Sequence, residues 1–233
     1  MCGIVAYIGE KEAFPIVING LKRLEYRGYD SAGIAILNEK GLHNYKRQGK
    51  VSNLEEFVSD KDIQGSVAIG HTRWATHGLP NDINAHPHFS EDCSIAMIHN
   101  GIIENYDSLK KELMRLGYTF RSETDTEALV YLIDDIRKNT DVSLAESVRL
   151  ALEQVVGAYA IVVISKDHPN QLVAARKSSP LVVGIGKEKD FYIASDATPI
   201  IEYTKDVVYL GDEEIAIVDL ERGLKIYNIE SSE

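Results

Sequence analysis

The chain has 233 residues, 44% apolar and 26% charged, which supplies the core of one large domain or two small ones. Its formal charge is −11, with acidic residues spread along the whole length. That balance argues against nucleic acid as a partner, because phosphate backbones are bound by clustered Lys and Arg. Two cysteines, Cys2 and Cys93, are too few for a secreted disulfide scaffold and point to a reducing, cytoplasmic setting. No run approaches the ~18 apolar residues that span a bilayer, so no membrane partner is expected. The N-terminus also lacks the basic and long apolar regions of a secretory signal.

In chain order, short apolar runs of strand length recur: IVAYI (4–8), IAIL (34–37), SVAIG (66–70), SIAMI (94–98), AIVVI (160–164), QLVAA (171–175), LVVGIG (181–186), FYIAS (191–195) and IAIVD (215–219). They are apolar on both faces, as strands buried on both sides of a sheet are. Helical periods lie between them. FPIVINGLKRL (14–24) carries Pro15 in its first turn, where no amide hydrogen is required. YDSLKKELMRLGY (106–118) stops at Gly117. TDTEALVYLIDDIRK (124–138) opens with Thr124 and Glu127 at capping-box spacing, and SLAESVRLALEQVVG (143–157) closes at Gly157. Helices grouped between sets of strands predict layered α+β packing rather than alternating βαβ units. With no repeat or Pro/Ser-rich linker, residues 1–233 read as one domain. The polar ending NIESSE reads as the start of a linker to something longer.

Four stretches carry groups suited to chemistry. Cys2 follows the initiator methionine, so loss of Met1 would give it a free α-amine. An α-amine pKa of about 7.7–8.0 lies close to the ~8.5 of a thiol, which permits proton transfer between them near neutral pH. The bland alternative is a small buried residue. HTRWATHG (71–78) follows a buried strand and holds Arg73, a fork-shaped partner for a carboxylate, together with Trp74, Thr76 and His77. HNGIIENY (99–106) contains Asn-Gly, which reads either as a turn or as an oxyanion hole made by the Asn100 amide and the Gly101 N–H. SETDTEA (122–128) suits a helix N-terminus, and Asp125 there could also meet an ammonium group. Five histidines (His71, His77, His86, His88 and His99) raise the question of zinc. HExxH is absent, however, and His86-x-His88 lacks recognisable further ligands, so no metal is assigned.

Taken together, CGIVAYIG, EYRGYDSAGIAI (25–36), GHTRWATHG (70–78), NAHPH (84–88), HNGIIEN (99–105) and SETDTE (122–127) resemble class II glutamine amidotransferases, which are N-terminal-nucleophile hydrolases. EYRGYDSAG and HTRWATHG favour the branch that makes glucosamine 6-phosphate over those feeding purine or asparagine synthesis. The resemblance implies a four-layer αββα sandwich with two largely antiparallel sheets between helix layers. It implies Cys2 as nucleophile, its freed α-amine as base, and Asn100 with the Gly101 N–H as oxyanion hole. Arg73, Thr76 and His77 would hold the α-carboxylate of L-glutamine, Asp125 and the Gly101 backbone its ammonium, and Trp74 would sit in the closing loop. Arg27 would support the nucleophile's surroundings. No metal or organic cofactor is implied. Ala6 departs from the Gly of many bacterial members, a small packing change. The family's enzyme is longer and homo-oligomeric, with a second, sugar-phosphate-isomerising half not present in these residues.

Two rival readings keep part of this pattern. A glutamine-binding regulatory module would retain the Arg73–Asp125 clamp without turnover, and a metal-dependent amidohydrolase would use the histidines.

Overall fold

The structure, a computed structural model, describes residues 2–75 and 78–230. The first third lays down β1 (Gly3–Ile8), α1 (Ala13–Leu24), β2 (Ser31–Asn38), β3 (Gly41–Gln48), α2 (Val51–Phe57) and β4 (Val67–Arg73). The middle adds β5 (His88–Phe89), β6 (Ile95–Ile103), α3 (Tyr106–Arg115), α4 (Asp125–Asn139) and α5 (Leu144–Leu152). The last third is β7 (Gly157–Ser165), β8 (Gln171–Lys177), β9 (Val182–Ile185), β10 (Phe191–Ala194), β11 (Val207–Tyr209), β12 (Glu214–Asp219) and β13 (Gly223–Asn228).

These strands form two antiparallel sheets, one in the order β11-β9-β10-β1-β4-β2-β3 and the other β13-β12-β8-β7-β6-β5. Alternation along each strand sorts the side chains into layers. On β1, Ile4, Ala6 and Ile8 face the second sheet and meet Ile98, Val162 and Ala174, while Val5 and Tyr7 face α1. On the second sheet, Met97, Ile161 and Val173 face outward beneath α4 and α5. The result is an αββα sandwich with three apolar interlayers, and the central strands are buried along most of their length on both faces. At about 1.5–3 kcal/mol for each fully buried aliphatic side chain, this burial dominates the favourable side of folding.

Several boundaries differ from those the sequence predicts. β4 runs on through His71, Thr72 and Arg73, and β6 through Asn100 to Ile103, so neither HTR nor HNG is a loop or turn. Pairing with β1 and with β7 holds these polar residues in strands, a tertiary effect that local turn propensity does not contain. The last predicted helix ends at Leu152, and Gly157, with φ 128°, opens β7 instead of capping the helix. The capping box of α4 does not form, because Thr124 makes no cap bond with its side chain. The Glu127 carboxylate instead accepts from the backbone N–H groups of Arg121 and Ser122 and from the hydroxyls of Ser122 and Tyr131, at 2.7–3.2 Å. Strands β3, β5, β11 and β13 and helix α2 lie outside the predicted set. β3 and β13 are half-exposed edge strands, with polar residues where an interior strand would be apolar.

Candidate active site

The site forms where the ends of three strands meet the start of a helix. Gly3 pairs with Thr72, so the residue before β1 lies beside the end of β4, and both strands pack across the sandwich on β6. Cys2, Arg73, Trp74, Gly101 and Asp125 line one narrow cavity of about 40 Å³, together with His86, His99, Thr124 and Thr126. The Cys2 sulfur accepts the backbone N–H of Trp74 at 3.2 Å. Burial pushes the Cys2 thiol above its ordinary value, while the Trp74 N–H and the Arg73 charge favour the thiolate.

Arg73 is buried, and its guanidinium donates to the carbonyls of Leu79 and Gly78 at 3.3 and 3.4 Å. Asn100 donates its side-chain N–H to the Cys2 carbonyl at 3.2 Å, which puts the amide beside the nucleophile. Gly101 has φ 138°, and a Cβ there would stand 2.0 Å from the Ala158 carbonyl oxygen, so only glycine fits. Asp125 is the first residue of α4, and its carboxylate accepts the Ile103 N–H at 2.8 Å. Trp74 is 53% exposed, and its indole covers Gly28 so closely that a Cβ at Gly28 would meet the ring at 2.7 Å.

The structure thus brings together Cys2, Arg73, Trp74, Asn100, Gly101 and Asp125. Thr76 and His77 lie outside the described residues. Arg27 does not line the cavity; it donates to Ser195 and Asp196 at 3.2 Å, and Ser195 in turn accepts the Ile4 N–H on β1. It therefore steadies the strand that carries Cys2 from its far side.

Supporting residues that the sequence reading gave no role lie inside the quoted blocks. Asp30 of YDSAG accepts the Ala75 N–H, fastening the backbone just after Trp74. Asn84 and Glu123 hold the segment over Arg73: Asn84 donates to the Leu79 carbonyl at 3.0 Å and to Glu123 at 2.9 Å, and Glu123 accepts the Leu79 N–H at 3.2 Å. His86 and His99 both bond the Thr126 hydroxyl, at 2.8 and 3.0 Å, and His88 bonds that of Thr124 at 2.9 Å. Burial pushes His71, His86, His88 and His99 below the ordinary imidazole value, so all four are neutral near pH 7. Among the described residues, no three His, Cys, Asp or Glu side chains converge as a metal-binding group.

A four-layer αββα sandwich with a cysteine heading its first strand defines the class of N-terminal-nucleophile amidotransferases, and solved structures agree. A glutamine phosphoribosylpyrophosphate amidotransferase from B. subtilis, solved with ADP and GMP, is 26% identical with a TM-score of 0.82; the match covers 99% of this chain and 50% of that one. An allosteric regulatory enzyme of purine biosynthesis gives 27% and 0.84 over the same shares. The chain belongs to the glutamine amidotransferase domain family, whose model matches residues 58–215. Among curated proteins, glutamine–fructose-6-phosphate aminotransferase (isomerizing) of Bacteroides thetaiotaomicron is 58% identical over all of this chain and 38% of its own length. The protein of the same name from Chlorobaculum tepidum is 56% identical over 94% of this chain and 36% of its own. The chain thus spans well under half the length of these relatives.

Proposed function

We propose that the chain hydrolyses L-glutamine to glutamate and ammonia through a γ-glutamyl thioester on Cys2. The observation that carries this reading is the single cavity lined by a thiol, a buried guanidinium, Gly101 and a carboxylate, with the Asn100 amide bonded beside the thiol. Arg73 and Asp125 are opposite in charge, as the α-carboxylate and α-ammonium of an amino acid require. Loss of Met1 supplies the α-amine that takes the thiol proton. The thiolate then attacks the side-chain carbonyl carbon, and the oxyanion is met by the Asn100 amide and the Gly101 N–H. The protonated amine returns its proton to the leaving nitrogen, ammonia departs, and the C–S bond holds the acyl group. Water, deprotonated by the same amine, breaks that bond to give glutamate and the free thiol.

Within a longer protein, the ammonia would serve conversion of fructose 6-phosphate to glucosamine 6-phosphate, with the sugar-phosphate half as partner in cis. The names of the relatives support this extension. The test uses the purified chain. Intact-mass analysis should show Met1 removed in active material, and Cys2→Ala should abolish glutamate release while thermal unfolding stays within a few degrees. Near wild-type activity in Cys2→Ala, or full activity with Met1 retained, ends the proposal.

A further inference from the structure

Asn100 would be an effective oxyanion donor only if its carboxamide is held one way round, and a buried histidine meets its other end. His71 Nε2 lies 2.8 Å from Asn100 Oδ1, at the point where β4 of one sheet faces β6 of the other. The Asn100 nitrogen is bonded to the Cys2 carbonyl, which can only accept. Oδ1 therefore faces His71, and the hydrogen between them belongs to Nε2. The opposite ring nitrogen, Nδ1, is buried with no hydrogen-bond partner. With the Asn100 oxygen fixed as the acceptor opposite Nε2, the neutral ring keeps its one hydrogen there, and the geometry selects the Nε2–H tautomer. The ring is held in place by His86, with centroids 4.2 Å apart.

We propose that His71 is the positioning residue of the oxyanion site: its Nε2–H holds the Asn100 oxygen and so turns the amide N–H groups toward Cys2. The other tautomer would present a lone pair, which favours the flipped amide and puts the Asn100 oxygen against the Cys2 carbonyl and the developing oxyanion. This assignment rests on the glutaminase reading for its kinetic consequence, but the tautomer itself does not.

The test has three arms. Nitrogen-15 correlation spectra of the unmodified chain should show His71 as the neutral Nε2–H tautomer; an Nδ1–H tautomer or an imidazolium overturns the assignment. In glutamine hydrolysis, His71→Leu should lower kcat about 10- to 100-fold with KM changed less than about threefold, because the lost contact matters most when the oxyanion forms. His71→Gln places a donor where Nε2 stood and should restore most of the loss. In an Asn100→Ala background, His71→Leu should cost nothing further, whereas a merely structural role would cost the same in both backgrounds. Equal losses in the two backgrounds, or wild-type kcat in His71→Leu, overturn the proposal. If the unmodified chain leaves glutamine intact, the glutaminase reading fails, and the tautomer alone decides whether His71 orients Asn100.

Discussion

Gly101 combines a φ of 138° with a position facing the Ala158 carbonyl, so both backbone conformation and space refuse a side chain. Gly101→Ala should therefore displace the β6 backbone and abolish turnover, which circular dichroism and glutamate release together would detect. Arg73 shows a different kind of selectivity. Its fork is buried against the Gly78 and Leu79 carbonyls and points at the space beside Cys2. Arg73→Lys keeps the charge and loses the paired geometry, so KM for glutamine should rise about 10- to 100-fold with a smaller change in kcat. Unchanged KM would remove Arg73 from the substrate clamp. Cys2 adds a prediction in pH. Burial raises the thiol in chain that retains Met1, so alkylation by iodoacetamide should accelerate only above the ordinary thiol range. Removal of Met1 places the α-amine next to the sulfur, and the profile should then shift to lower pH.

At the scale of single elements, the start of α4 does two tasks at once. Asp125 in its first turn faces the cavity, and Glu127 two residues later ties the incoming segment through Arg121, Ser122 and Tyr131. Glu127 is 4% exposed, so truncating it leaves buried N–H and O–H donors without acceptors. Each such orphan costs about 1–3 kcal/mol. Glu127→Ala should lower stability in urea by about 3 kcal/mol and raise KM through displacement of Asp125. A loss below 1 kcal/mol would mean that water replaces the carboxylate and that the tie is unimportant. The capping-box spacing correctly marked this helix start, yet the two residues bond elsewhere: Thr124 is drawn to His88, and Glu127 reaches back past the cap.

For the whole molecule, the four buried histidines link stability to pH. All four are pushed below the ordinary imidazole value, His71 to about 3, because burial penalises the charged form. The unfolded chain has ordinary histidines that protonate near 6.5, so below that pH it binds more protons than the folded chain. Stability is therefore fully present above about pH 6.5 and is lost progressively as pH falls toward the depressed folded values. Each histidine adds up to about 1.4 kcal/mol per pH unit to that slope. The Tm should drop steeply between pH 6.5 and 5, and a flat profile there would contradict the burial of the histidines as neutral groups.

Strand-length apolar runs and helical periods marked the interior elements, because a strand covered on both faces must be apolar throughout. β1, β7, β8 and β12 were legible for that reason. The polar edge strand β3 was not, since its pairing with β2 comes from the partner and not from its own pattern. The groups that meet at the candidate site were also legible, since a thiol after the initiator, an arginine after a buried strand, Asn-Gly and a helix-start aspartate are local signals. Whether Asn100–Gly101 is a turn or part of a strand was not local, and only the β6–β7 pairing decided it. The same holds for the histidines. As sequence they raised the question of zinc, which the missing HExxH argued against, and only the tertiary structure shows His71, His86, His88 and His99 buried and bonded to Asn100, Thr124 and Thr126. Residue type determined which groups could react, while long-range packing decided which of them face one another, because a hydrogen-bond partner dozens of residues away leaves no periodicity in the chain.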